Sequence, residues 1–239
     1  MLIVGHRGAS GSEPENTIRA FDRALSMGAD MIELDVHICS SGELVVIHDS
    51  TLERTTNGSG EVREHTYSEL EPLDAGKGER VPRFASVLDR FLGRIGLNIE
   101  LKGEGTGMSL AREMDGLSLQ NPGPVPALLV SSFKPMELMD LRSARPDIPV
   151  GVLFEESPDV FLDFAEELGA WAVHPRMDVV SEGLVKETHR RNLRCITWTI
   201  NSRIDMEKAV SLNVDGMITD HPDRLLDWLG DRDKGAGAQ

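Results

Sequence analysis

The chain is poor in cysteine, in long apolar runs and in positive charge. Its 239 residues contain two cysteines, Cys39 and Cys195, too few for a disulfide scaffold, and both are read as buried free thiols. The opening segment, MLIVGHRGAS, has no basic stretch, and its apolar run stops at Val4. A signal peptide needs about 7–15 apolar residues and a membrane span about 20. No integral membrane segment is therefore expected, and the expected location is cytoplasmic. Lys and Arg number 25 against 40 Asp and Glu, a net charge of −15 at pH 7. Nucleic-acid affinity comes mainly from basic side chains that neutralise phosphates, so this balance argues against a DNA or RNA partner. A small phosphorylated substrate sees only the local field of its pocket and stays compatible. Linkers rich in Pro and Ser and short internal repeats are missing too. What is present is a chain 40% hydrophobic and 27% charged, enough for a real core and unlike a disordered or collagen-like composition.

Short, unbroken apolar runs alternate with helical patterns. The runs are Leu2–Gly5, Met31–Val36, Leu97–Leu101, Ala127–Ser131, Val150–Phe154, Trp171–His174, Arg194–Trp198 and Gly216–Thr219. They read as strands buried on both faces. Helical patterns include Thr17–Met27, Phe84–Leu92, Pro135–Ser143, Val160–Leu168, Glu182–Arg191, Ile204–Leu212 and Arg224–Leu229. Asn16 is placed as the first helix's N-cap and Gly28 as its stop. Eight β/α units predict an α/β fold closed into a (β/α)8 TIM barrel, with a doubly wound open sheet as rival. Leu44–Ile47 breaks the alternation, following the turn signal Ser40-Ser41-Gly42-Glu43 with no helix between. So short a turn joins antiparallel strands, so this segment should return along the second strand as a hairpin extension. That brings His48-Asp49 back to the barrel mouth. Residues 50–81 read as a polar insertion over the mouth. Residues 1–230 are assigned to one domain and 231–239 to a frayed tail.

Active sites of such barrels lie at the C-terminal strand ends, where this chain places His6-Arg7-Gly8, Glu33-x-Asp35, His48-Asp49, Glu100-x-Lys102, Ser131-Ser132-Phe133, His174-Pro175, Trp198-x-x-Asn201 and Thr219-Asp220. Glu33 and Asp35, two apart on a strand, share a side. If that side is the barrel interior, they converge with Glu100. Like charges about 5 Å apart repel by roughly 3 kcal/mol at an effective dielectric of 20. A hard divalent cation, Mg²⁺ or Ca²⁺, would relieve that repulsion. A polar rim of ordinary salt bridges to Arg7 and Lys102 is the other reading. His6 and His48 are the candidate general acid and base, since their unperturbed pKa lies near 6.5. Of the two, His48 is favoured as the acid. Arg7 and Lys102 are cationic donors in an acidic setting and suit an anionic group such as a phosphate. Trp198 offers either a flat substrate wall or interior filling, with Asn201 just beyond it. Phe133 is a weaker candidate wall, and His174 is read as structural.

Taken in order, His6-Arg7-Gly8, Glu15-Asn16-Thr17, Glu33-Leu34-Asp35, His48-Asp49, Leu52-Glu53-Arg54-Thr55-Thr56-Asn57-Gly58, Glu100-Leu101-Lys102, Trp198-Thr199-x-Asn201 and Asp215-Gly216 resemble the glycerophosphodiester phosphodiesterase family. The resemblance runs from Gly5 to about Pro222. It implies a TIM-barrel hydrolase that cleaves a small glycerophosphodiester to sn-glycerol 3-phosphate and an alcohol. It also implies a divalent metal at Glu33, Asp35 and Glu100, acid–base roles at His6 and His48, and phosphate contacts at Arg7 and Lys102. The chain departs from the family pattern after Gly76, where it passes directly through Lys77–Arg80 to Val81-Pro82-Arg83-Phe84; the lid is expected to be shorter or rearranged. A lysophospholipase D-like barrel and a noncatalytic phosphodiester-binding protein are the alternatives. Homo-oligomerisation is left open.

Overall fold

The structure is a computed structural model that describes residues 1–117, 125–156 and 158–236. Its strands, in chain order, are β1 (Leu2–Gly5), β2 (Met31–Ile38), β3 (Leu44–Val46), β4 (Gly96–Leu101), β5 (Leu128–Ser132), β6 (Val150–Phe154), β7 (Ala172–Pro175), β8 (Arg194–Thr197) and β9 (Gly216–Thr219). The sheet order is β1-β9-β8-β7-β6-β5-β4-β2, and β1 pairs back onto β2 with Val4 opposite Met31. That last pairing closes an eight-stranded parallel barrel and rules out the open sheet.

The helices are α1 (Ile18–Met27), α2 (Tyr67–Leu70), α3 (Phe84–Phe91), α4 (Thr106–Glu113), α5 (Pro135–Ala144), α6 (Pro158–Leu168), α7 (Glu182–Arg190), α8 (Arg203–Ser211) and α9 (Pro222–Ala236). The last of these continues through Ala236, into the segment expected to fray; positions 237–239 lie outside the described residues. No helix among the described residues is long and apolar enough to cross a membrane.

Side chains alternate across each strand, and the two faces bury different sets. On β2, Ile32 and Leu34 point outward into the layer shared with the helices, where Phe21 of α1 meets Phe91 of α3 edge-on at 5.8 Å. Met31 points inward and packs with Val4, Leu129, Ala172, Ile196 and Ile218 as an apolar plug. Glu33 and Asp35 follow Met31 at a spacing of two, so they continue the inward row above that plug.

The hairpin is as expected. β3 runs antiparallel to β2, with Val36 opposite Val46 and Ile38 opposite Leu44, and Gly42 adopts φ 95° in the turn. The Ile47 N–H then donates to the Asp35 carbonyl at 3.1 Å, which delivers His48 to the mouth. Residues beyond it form a small core of their own, in which Leu52, Val62, Leu70 and Val81 are buried against Val45 and Ile47.

Two local readings are corrected. The N-cap of α1 is Thr17, whose side chain accepts from the Ala20 N–H; Asn16 instead sits at φ 57° and turns inward. Helix α4 has no counterpart among the sequence patterns.

Candidate active site

The turn after β1 builds the first part of the site. Arg7 takes φ 54° and Gly8 φ 85°. A Cβ at Gly8 would lie 2.6 Å from the Ala20 carbonyl carbon, so the turn requires glycine. It aims the Arg7 N–H at Glu33 Oε2, 2.8 Å away, and leaves His6 facing the mouth. His6 Nδ1 lies 2.6 Å from Asp220 Oδ1. Asp220 is itself held by Ser10 Oγ at 2.9 Å and Asn201 Nδ2 at 2.6 Å.

Glu33, Asp35 and Glu100 converge as their spacing predicts. In register, Glu33 stands opposite Asn98 and Asp35 opposite Glu100, and one oxygen from each carboxylate lies within 4.8 Å of the others. Asp35 Oδ2 accepts from Asn16 Nδ2 at 2.8 Å, which is the work Asn16 does in place of capping. Glu100 Oε1 accepts from Lys102 Nζ at 2.7 Å, and Lys102 lies 3.7 Å from Asp35. Burial, then the Asp35 and Glu100 charges, hold the Glu33 pKa well above the ordinary carboxyl range. Burial and Asp35 push Glu100 up to about 7, against the pull of Lys102 and Arg7. Glu33 Oε1 and Asp35 Oδ1 are buried without a hydrogen-bond partner. Buried acceptors of this kind cost free energy unless something binds them, and three convergent carboxylates are a donor set that fits a hard divalent cation. The cluster could hold a metal.

His48 arrives on the hairpin that β3 forms with β2. Its Nδ1 lies 2.5 Å from Asp49 Oδ1, and its Nε2 lies 3.2 Å from Lys102 Nζ. An ammonium can only donate, so this contact needs an unprotonated Nε2 with the proton on Nδ1. Burial lowers the His48 pKa, with Asp35 and Asp49 partly opposing. Both histidines thus have Nδ1 tied to a carboxylate and line one cavity of about 440 Å³ with Arg7, Glu33, Glu100 and Lys102.

Phe133 and Trp198 line the same cavity, edge to face at 5.6 Å, and the Lys102 ammonium sits 5.9 Å from the Phe133 ring centre. Trp198 is fixed by its indole N–H donating to the His174 carbonyl at 2.9 Å. Asn201, the candidate substrate-binding residue beyond Trp198, spends its amide on Asp220 and is not among the residues that line the cavity. His174 is fully buried, and burial alone pulls its pKa down to about 3. It stays neutral, as the structural reading requires. Sequence reasoning passed over Asn16, Asp49 and Asp220 as partners of the central groups, although each lies within or beside a quoted motif.

The chain matches the glycerophosphoryl diester phosphodiesterase family over residues 6–224. YhdW of Bacillus subtilis is 38% identical to it over 241 residues, covering 95% of this chain and 97% of that protein. A glycerophosphodiester phosphodiesterase of Caldanaerobacter subterraneus is 34% identical, with 95% and 97% covered. Among solved structures, an Oleispira antarctica phosphodiesterase in complex with its product sn-glycerol-3-phosphate superimposes with a TM-score of 0.88 at 26% identity, covering 96% of this chain and 97% of the other. With nearly the whole barrel matched by sequence, the chain belongs to the glycerophosphoryl diester phosphodiesterase family.

Proposed function

We propose that this cleft hydrolyses glycerophosphodiesters to sn-glycerol 3-phosphate and an alcohol, by histidine acid–base catalysis that depends on a divalent metal. The observation that carries the reading is the pair of histidines, each with Nδ1 held by a carboxylate, set around one cavity that Glu33, Glu100, Arg7 and Lys102 also line, with Asp35 clustered against the two glutamates. Charge decides which substrate suits it. Glu33, Asp35 and Glu100 carry −3 when ionised, Arg7 and Lys102 carry +2, and Glu155, which also lines the cavity, is offset by its ion pair with Arg176. A divalent cation brings that set to +1, which complements a phosphodiester monoanion.

Glu33, Asp35 and Glu100 would hold the cation, Mg²⁺ or Ca²⁺. Bound there, it supplies Lewis-acid polarisation of the phosphoryl group. Arg7 and Lys102 bind the nonbridging oxygens and stabilise charge that builds on them in the transition state. The hydrogen bonds favour an assignment opposite to the sequence expectation. His48, neutral with a free Nε2 lone pair once Lys102 turns to the phosphate, takes the proton of the attacking oxygen, from water or from the glycerol 2-hydroxyl. His6, held through Nδ1 by Asp220, gives its Nε2 proton to the departing alkoxide. Phe133 and Trp198 cover the carbon skeleton of the substrate.

Turnover of sn-glycero-3-phosphocholine, followed by a dehydrogenase specific for sn-glycerol 3-phosphate, tests this reading. Enzyme treated with EDTA and desalted should be inactive, and Mg²⁺ or Ca²⁺ should restore it. Full activity after thorough demetallation would remove the metal from the account.

A further inference from the structure

The segment Leu52–Gly58 is prominent in the sequence, yet none of the roles above uses it. Its one side chain that reaches the site's hydrogen-bond network is Arg54. The guanidinium lies between two carboxylates. Toward the hairpin, Nε and Nη2 donate to Asp49 Oδ2 and Oδ1 at 2.5 and 3.0 Å. Toward the β1–α1 loop, Nη1 and Nη2 donate to Glu15 Oε2 and Oε1, each at 2.8 Å. Both carboxylates continue inward. Asp49 Oδ1 holds His48 Nδ1 at 2.5 Å, and Glu15 Oε1 accepts from Arg7 Nη1 at 2.7 Å. A continuous row therefore joins His48, Asp49, Arg54, Glu15 and Arg7 across the mouth.

We propose that Arg54 is a positioning residue that sets His48 and Arg7 in one geometry, fixing the distance between the base and the phosphate-binding cation. The proposal rests on the reading that His48 and Arg7 act on the diester. A planar guanidinium can present two parallel N–H bonds to each of two carboxylates, and an ammonium cannot. The arrangement is thus specific to arginine rather than to positive charge. The insertion that carries Arg54 is held by contacts in which Arg54 takes no part. There, Asn57 N–H donates to the Asp74 carbonyl, Asp74 N–H donates back to Asn57 Oδ1, and Gly60 N–H donates to Glu53 Oε1. Leu52 beside it is buried in the insertion's own core. The Arg54 side chain is 46% exposed, where ion pairs contribute little to stability.

The test is steady-state kinetics of the metal-loaded, full-length protein on sn-glycero-3-phosphocholine, with thermal melting in parallel. Arg54→Ala should lower kcat by about 10-fold and raise KM several-fold, the scale of losing an outer-shell partner, with the melting temperature nearly unchanged. Arg54→Lys should recover little of either loss. Guanidinium added at millimolar concentration should restore part of kcat to Arg54→Ala and nothing to Arg54→Lys. In an Asp49→Asn background, Arg54→Ala should lower kcat by less than it does in the wild type, because the path to His48 is already cut and only the path through Glu15 to Arg7 remains. A folded Arg54→Ala within twofold of wild type in kcat and KM would overturn the proposal. So would equal kcat losses in the wild-type and Asp49→Asn backgrounds. If Arg54→Ala proves unstable, Arg54→Lys decides: wild-type kinetics from the lysine variant would equally overturn the proposal. His48→Ala is run alongside. Near wild-type turnover by that variant would overturn the acid–base reading itself and the positioning role with it.

Discussion

His6→Ala and His48→Ala should each lower kcat on glycerophosphodiesters by about 10²–10⁴-fold, the range for losing one proton-transfer group. The two act in one transition state, so the double variant should lose less than the product of the single losses. Leaving-group chemistry separates the roles. A p-nitrophenolate leaves without protonation, so on a p-nitrophenyl diester His6→Ala should recover most of its activity and His48→Ala should not. The reverse pattern would make His48 the acid. The burial that lowers the His48 pKa places the acid limb of kcat/KM below the ordinary histidine value, and His48→Ala should lose that limb. Near wild-type rates in both variants would remove acid–base catalysis by histidine from the account.

Glu100→Gln should lower activity by about 10²-fold or more, the several kcal/mol that a bound metal supplies to phosphoryl transfer. The same change should make the metal-free protein more stable. In the fold the Glu100 pKa is raised to about 7 from an ordinary 4.5, chiefly by burial and by Asp35. A carboxyl raised in this way favours the fold while protonated and loses that contribution as pH rises from about 4.5 through 7. Metal-free Glu100→Gln should therefore gain on wild type across that window, by on the order of 1–3 kcal/mol at pH 8, and match it near pH 4.5. Urea melts at several pH values measure this directly. Added Mg²⁺ or Ca²⁺ should raise the wild-type melting temperature and leave Glu100→Gln unmoved. A variant that is less stable than wild type at pH 8 without metal would contradict the crowded-carboxylate picture.

The barrel was legible because strands buried on both faces leave unbroken apolar runs, and because polar residues at their C-terminal ends stand out against them. The spacing of Glu33 and Asp35 placed both on one face, and a four-residue turn before Leu44 gave the antiparallel return that brings His48 to the mouth. What was hidden depends on partners distant in sequence. Helix α4 starts on Thr106-Gly107, a weak local signal. Its first turn is held by the buried Glu137 carboxylate of α5, which accepts from the Gly105 and Gly107 N–H groups at 2.8 Å each. Asn16 stands where an N-cap would stand, yet its amide bonds Asp35, 19 residues away. The contact of Lys102 Nζ with His48 Nε2, which needs that nitrogen unprotonated, spans 54 residues. No local pattern encodes any of these three contacts.

Hydrolysis in ¹⁸O-water, read by ³¹P NMR, tests most directly that this site cleaves the phosphodiester by attack at phosphorus. With metal-loaded enzyme and sn-glycero-3-phosphocholine, the predicted products are choline and sn-glycerol 3-phosphate, with ¹⁸O on the phosphate and none in the choline. Phosphocholine and glycerol as products, ¹⁸O in the choline, or no turnover with any divalent metal would contradict it.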